Sequence, residues 1–313
     1  MAIIRNPFKR HKGLRWRYTQ ADLPWFDQPD ALQVLEQRRK AESLSDEYYE
    51  ALRKWVTDGY FVLNGTVNMS LVEGMVRDLN DIWSASEAIP ELQICDVRET
   101  PDGTPHKMSH EELLRFSPEQ REQMKIWSHW RVHELFRFSE NCRAIHQHQE
   151  FIRIASLVFG RQGCPEYTIN FAYGSRQNLH QDSAVFHLFP PNFLAGMWLA
   201  CEDIVPEAGP LVYYPGSHKE PFFPKFDNYP QTNLKTCDKA TSAEYSEYIN
   251  KLSEKYERKQ FLAQKGQVLF WHGMLIHGGD AVINPNQTRQ SYVCHYVPPG
   301  GKQDEKIVGP FNW

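Results

Sequence analysis

Tyr167-Thr168-Ile169-Asn170-Phe171-Ala172-Tyr173, followed seven residues later by His180-Gln181-Asp182, opens the part of this 313-residue chain that decides its fold. From about residue 165 onward, apolar runs of strand length replace a helical pattern. They are Tyr167 to Tyr173, Ala195 to Ala200, Leu211 to Tyr214, Gln267 to Trp271 and Ser291 to Val297. Turn signals at Pro190-Pro191, Pro215-Gly216, Lys265-Gly266, Gly278-Gly279 and Pro298-Pro299-Gly300 separate them. Short strands at this spacing predict an antiparallel sandwich or barrel. One helical block interrupts the series over 241–259. There Thr241 and Glu244 read as a capping box, and Tyr245, Tyr248, Ile249, Leu252 and Tyr256 recur at helical spacing.

Upstream, over 44–160, the texture is helical. Tyr48, Leu52, Trp55 and Val56 share a face that stops at Asp58-Gly59, and a short strand follows from Tyr60 to Leu63. Ser70 with Glu73, Ser109 with Glu112, and Ser117-Pro118 with Gln120 read as helix starts. A long helical stretch carrying Trp127, Trp130, Leu135 and Phe138 is predicted next, then another helix ending near Gly160. There is no repeat and no linker, so helices and strands are expected to form one α+β unit over 1–313.

Composition narrows the class. With 41% hydrophobic residues, 24% charged, 18 Gly and 20 Pro, the chain is globular rather than fibrous or disordered. Its longest apolar run, Phe193 to Cys201, is about half the ~20 residues a membrane span needs. No secretory apolar stretch follows the basic N-terminus, so a cytoplasmic protein is expected. The net charge of −4 argues against nucleic acid as the main partner. Arg5, Lys9, Arg10, Lys12, Arg15 and Arg17 make residues 1–17 +6 and the remainder −10, and 1–40 is expected to be a solvated basic arm. The six cysteines (95, 142, 164, 201, 237 and 294) are scattered, which suits a reducing compartment and excludes a zinc finger or iron–sulfur site. No G-x-S-x-G, Walker or dinucleotide glycine loop is present. The pairs His129/His133 and His146/His148 lack an intervening Glu or a nearby Cys and read as solvated.

Chemistry concentrates at His180-Gln181-Asp182. On a strand, residues i and i+2 share a face, so an imidazole nitrogen and a carboxylate oxygen project together. A distant histidine would complete a facial triad suited to divalent iron, with three positions left open. Two candidates for that third ligand lie downstream in Trp271-His272-Gly273-Met274-Leu275-Ile276-His277-Gly278-Gly279. His272 and His277 are five apart and face opposite ways on a regular strand.

These motifs stand with Asp58-Gly59-Tyr60-Phe61-Val62-Leu63, Tyr173-Gly174-Ser175, Glu207-Ala208-Gly209-Pro210-Leu211, Pro215-Gly216-Ser217-His218 and Arg289-Gln290-Ser291. Together, chiefly over 165–300, they resemble the phytanoyl-CoA dioxygenase family of iron(II)/2-oxoglutarate oxygenases. The resemblance implies a double-stranded β-helix (jelly-roll, cupin-like) core over 165–300 with N-terminal helices packed on it. It implies iron ligation by His180, Asp182 and His277, with 2-oxoglutarate and O2 as co-substrates, and it favours His277 over His272. Arg289 matches the position that pairs with the far carboxylate of 2-oxoglutarate, and a guanidinium fork suits that task. Ser291, two residues on, would share the face of Arg289 and help hold the same carboxylate; the position where relatives sometimes carry a Ser, two after the distal histidine, is Gly279 here. Gln177, Tyr173 and Trp198 are weaker candidates for the pocket wall.

The implied reaction is oxidative decarboxylation of 2-oxoglutarate to succinate and CO2, coupled to hydroxylation of an unactivated C–H bond in a small molecule. Asp182 speaks against halogenation, since halogenating relatives replace this carboxylate by a small residue. Epimerisation, desaturation and ring closure stay open, as do a non-catalytic jelly-roll binding protein and a zinc hydrolase on a cupin-like barrel. The block over 241–259 is expected to be a lid or pocket wall, and His218 a loop support.

Overall fold

The computed structural model describes residues 20–186, 188, 191–226 and 232–299; the six basic residues between Arg5 and Arg17 lie outside them. Along the chain come α1 (Ala31–Ala41), α2 (Asp46–Asp58), β1 (Tyr60–Leu63), α3 (Met69–Asp81), β2 (Gln93–Val97), β3 (His106–Ser109), α4 (His110–Leu113) and α5 (Pro118–Trp127). Then follow β4 (Arg131–His133), α6 (Glu140–His146), α7 (Gln149–Phe159), β5 (Cys164–Phe171), β6 (Ala195–Ala200) and β7 (Leu211–Tyr213). The chain continues with α8 (Lys239–Ser253), β8 (Lys259–Phe261), β9 (Val268–His272), β10 (His277–Gly279) and β11 (Ser291–Val297).

All strand pairs are antiparallel. The large sheet runs β1-β9-β6-β11-β5-β4-β2-β3, and a smaller one runs β10-β7-β8. This is the expected α+β, cupin-like jelly roll. Alternation along β11 divides the core: Val293, His295 and Val297 face the small sheet, whereas Tyr292, Cys294 and Tyr296 join the layer of N-terminal helices. Both faces of the large sheet are therefore covered, which is why its strands read as unbroken apolar runs.

Helix ends follow local chemistry. Capping boxes at Ser109/Glu112 and Ser117/Gln120 are present, with Pro118 in the first turn. Two other starts differ from expectation. Asn68, not Ser70, caps α3, accepting the Ser70 amide at 3.0 Å, and Asp238, not Thr241, caps α8, accepting the Thr241 amide at 2.7 Å. In each case the short side chain just upstream reaches the exposed amides first. The insert consequently spans Lys239–Ser253 rather than 241–259. Gly59 ends α2 at φ +79°, and a β-carbon there would lie 2.5 Å from His218 Nδ1, so neither conformation nor space admits a side chain.

The long helix expected through Trp127 to Phe138 is broken. Helix α5 stops at Ser128, whose hydroxyl donates to the Met124 carbonyl at 2.6 Å and accepts the Arg98 amide. The chain then extends as β4 between β5 and β2, burying Val132 completely. Sheet pairing overrides helical propensity here. His133 is thus a strand residue over the central cavity, and His146 is buried and stacked on Phe136, so neither is solvated. The segment expected as a free arm also contains structure. Residues 20–40 include most of α1, with Leu35 buried, and Phe26 packs edge-on against Trp55 and His272.

Burial pushes the pKa of His133 and His218 down to about 3 and that of His146 to about 4. An unfolded histidine titrates near pH ~6.5. Below that pH the unfolded chain binds more protons than the folded one, so stability is lost as pH falls through this window toward the folded values. Thermal melts of the metal-free protein are expected to show a Tm falling progressively below about pH 6.5. A flat profile down to about pH 4 is incompatible with three buried neutral imidazoles.

Candidate active site

Three ligand atoms, one each from His180, Asp182 and His277, lie within 4.8 Å of one another between the two sheets. His180 Nε2 and His277 Nε2 stand 3.5 and 3.6 Å from Asp182 Oδ1. His180 is not in a regular strand. It makes a single antiparallel bridge to His277, each amide donating to the other's carbonyl (2.9 and 3.0 Å), and Asp182 opens a 3-10 turn, Asp182–Ala184. The shared-face expectation for a strand is therefore replaced by a bridge and a tight turn that bring the same two groups together.

Second contacts set the tautomers. His180 Nδ1 faces the Asn178 carbonyl at 2.8 Å and His277 Nδ1 the Leu275 carbonyl at 2.9 Å. A carbonyl only accepts, so each ring carries a hydrogen on Nδ1 and turns Nε2 inward, toward Asp182. Asp182 Oδ2 accepts from Trp271 Nε1 at 2.8 Å and lies 3.2 Å from His295 Nε2, which leaves Oδ1 to face the imidazoles. Burial alone would raise the Asp182 pKa, but the charges of His277 and His295 and the hydrogen bonds hold it well below the usual carboxylate range. Burial pushes His277 down to about 4. Burial opposes charge on His180, but the neighbouring Asp182 carboxylate raises its pKa above the usual imidazole value. Two imidazoles and one ionised carboxylate, each braced from behind, fit a divalent iron with open positions. Trp271 reaches Asp182 across Gly196, where a β-carbon would lie 2.1 Å from its ring.

His272 points to the opposite face. Its Nδ1 accepts the Met274 amide at 3.0 Å, and Nε2 lies 3.3 Å from Asp27 Oδ1. Both nitrogens point away from the three converging groups. His218 is buried beside it, with Nε2 3.3 Å from the Val56 carbonyl, as expected of a loop support.

The three groups border a cavity of about 330 Å³ whose wall includes Phe171, Phe186, Trp198, His133 and Arg289. Arg289 is 2% exposed, its guanidinium 5.5 Å from the Phe171 ring and 5.7 Å from that of Trp198. Its Nη1 reaches the Gly209 carbonyl at 3.3 Å, Nε has no partner, and no carboxylate pairs with it among the described residues. Burial pushes its pKa down to about 10. A buried cation without a counterion is a seat for an anion.

Gln177 and Trp198 line the cavity. Tyr173 does not: β5 ends at Phe171, and the Tyr173 ring packs on His129, 5.0 Å away. Ser291 is buried with an unpartnered Oγ but is not part of the cavity wall. A β-carbon at Gly279 would lie 2.8 Å from Ser175 Oγ, and Ser175 does line the cavity. His295, Trp271, His133 and Tyr245 also belong to this site, although no sequence motif assigns them to it. Strand alternation from Ser291 would have put His295 on the inner face; the seat of Trp271 over Gly196 depends on register and leaves no sequence signal.

A jelly roll with this His/Asp/His arrangement and a buried unpaired arginine defines a non-haem iron oxygenase of the 2-oxoglutarate-dependent class. Comparison with known proteins agrees. A profile of the phytanoyl-CoA dioxygenase (PhyH) family matches residues 55–291, and the chain belongs to that family of Fe(II)/2-oxoglutarate oxygenases, whose co-substrates are 2-oxoglutarate and O2. The peroxisomal phytanoyl-CoA dioxygenase of Bos taurus is 30% identical over 141 residues, 42% of this chain and 39% of that one. The Rattus norvegicus counterpart is 31% identical over 144 residues, 43% and 36%. The chain thus spans about two-fifths of the length of the curated relatives it matches. Among solved structures, EctD from S. alaskensis with 2-oxoglutarate and 5-hydroxyectoine superposes with a TM-score of 0.58 at 16% identity, covering 86% of this chain and 82% of that one. The carbocyclase SnoK from nogalamycin biosynthesis gives 0.56 at 16% identity, covering 82% and 85%. The epimerase SnoN gives 0.54 at 14%, covering 80% and 83%. At these identities the likeness is one of fold.

Proposed function

We propose that this protein hydroxylates an unactivated C–H bond of a small organic molecule, consuming 2-oxoglutarate and O2 and releasing succinate and CO2. His180, Asp182 and His277 hold Fe(II), and Arg289 pairs with the far carboxylate of 2-oxoglutarate. Ser175, on the cavity wall, is the hydroxyl available to assist in place of Ser291, and Trp198 and Gln177 bound the pocket. The observation that carries this reading is a converged His/Asp/His set sharing a cavity with a buried, unpaired arginine. The iron supplies the oxidative chemistry when bound. The chain binds the keto acid through Arg289, fixes ligand orientation through Trp271 and His295, and excludes water with an aromatic wall. Helix α8 presents Ser242 and Ser246 to the cavity, as a wall that shapes substrate choice.

No helix among the described residues is long and apolar enough to cross a membrane. Free cysteines at all six positions support our placing the protein in a reducing, cytoplasmic setting.

The test is a substrate screen read by succinate release, with Fe(II) and O2 each omitted in turn. Hydroxylation adds one oxygen atom to the product. A product lighter by two hydrogens indicates ring closure or desaturation, chemistry related to that named for SnoK, and an isomer of equal mass indicates epimerisation, as named for SnoN. Turnover that continues without O2 rules the oxygenase reading out.

A further inference from the structure

We propose that Tyr245, on the inserted helix α8, is a positioning residue for the metal ligands, so that the helix facing the substrate also sets how His180 and Asp182 are presented. The inference rests on the reading that these two residues hold iron. Gln181 is the single residue between them. Its amide donates to Tyr245 Oη at 2.9 Å, and its side-chain Nε2 donates to the Met274 carbonyl at 3.0 Å, on the loop between β9 and β10. The link between the two ligands is therefore pinned on one side by α8 and on the other by the segment leading to His277. Tyr245 is 1% exposed, its ring stacked on Phe226 (5.5 Å, 21°) and edge-on to Phe223 (5.7 Å). Burial raises its phenol pKa, so the hydroxyl stays neutral at working pH.

The same helix reaches the cavity. Ser242 and Ser246 lie three residues before and one after Tyr245, and both line the site. A substrate that touches α8 there touches the element holding the Gln181 backbone. Such a connection needs no movement of the sheets, because one hydrogen bond joins helix and ligand segment. It separates α8 from an inert wall: changes that tune substrate choice on this helix also alter the metal site.

Tyr245→Phe keeps the ring in its aromatic cluster and leaves the buried Gln181 amide without its acceptor. Anaerobic titration with Fe(II) in the presence of 2-oxoglutarate, read by the visible charge-transfer band, is expected to show affinity weakened about tenfold, the low end of the usual cost of losing an outer-sphere partner. The band position is also expected to shift, which a general loss of stability does not produce. Tyr248→Phe on the same helix removes a hydroxyl that faces the Pro221 carbonyl at 3.4 Å, and should bind Fe(II) as wild type does. If Tyr245→Phe does not fold, Ile249→Ala, one turn on and fully buried, loosens the helix while retaining the hydroxyl and should weaken Fe(II) binding in the same direction. Wild-type affinity and band in Tyr245→Phe overturn the proposal, as does unchanged affinity in Ile249→Ala where the first variant is unfolded. A wild-type chain that binds no Fe(II) overturns the underlying site assignment instead.

Discussion

Asp182→Ala is expected to abolish Fe(II) binding and succinate formation together. The substitution removes more than a ligand. Oδ1 is the atom both histidines approach, at 3.5 and 3.6 Å, while Oδ2 receives the Trp271 indole N–H and faces His295. Without the carboxylate, two buried donors lose their acceptor and two imidazoles lose the group that balances a divalent cation. The loss should exceed the ~10–100-fold that follows removal of an outer-sphere partner. Trp271→Phe supplies the comparison: it keeps the carboxylate and deletes one brace, so its effect should fall within that range. Anaerobic titration with Fe(II) checks both. An Asp182→Ala variant that binds Fe(II) as tightly as Trp271→Phe would remove Asp182 from the ligand set.

Arg289→Met should move two observables in opposite directions. Affinity for 2-oxoglutarate is expected to fall by about 10–100-fold, the equivalent of the ~1.5–3 kcal/mol carried by a hydrogen bond to a charged group. The unliganded protein, by contrast, should melt higher. Arg289 is a buried cation with one weak carbonyl contact, and burial pushes its pKa down to about 10. Its folded pKa lies below the unfolded one, so at neutral pH the penalty is present in full and is relieved only as pH rises through about 10 toward the unfolded value. A thioether of similar length removes that penalty, with an expected gain of about 1 kcal/mol or more. Calorimetric melts with and without 2-oxoglutarate read both effects. A variant that melts lower and binds 2-oxoglutarate normally assigns Arg289 to packing.

The parts legible in the sequence are those whose own side chains state their role. Ala195–Ala200 and Ser291–Val297 read as strands because buried, sheet-favouring runs are bounded by turn residues. The convergence of His180, Asp182 and His277 was legible because it follows from the side-chain types, whatever the backbone does; the backbone is a bridge and a turn rather than the regular strand that the spacing implied. Partner-dependent features were not legible. Strand β10 is His277-Gly278-Gly279, with no strand-forming side chain, and exists because β7 pairs with it. Strand β4 lies in a helical pattern and is extended by its neighbours. The bracing of Asp182 by Trp271 and His295 depends on register across β9, β6 and β11, and Tyr245 reaches Gln181 from 64 residues away.

Trp271 and His272 are consecutive on β9 and serve opposite sides of the sheet, one the carboxylate of Asp182, the other the carboxylate of Asp27. This has a bearing on how small a transplantable oxygenase unit can be made. A fragment cut to the strands alone, or to the family-matched span beginning at residue 55, leaves His272 facing the space where Asp27 and Phe26 stood. The back of the strand that steadies the Asp182 carboxylate would then lose the part of its cover that these two residues supply. The smallest portable version of this fold therefore begins before Phe26, in a stretch none of whose described residues lines the cavity.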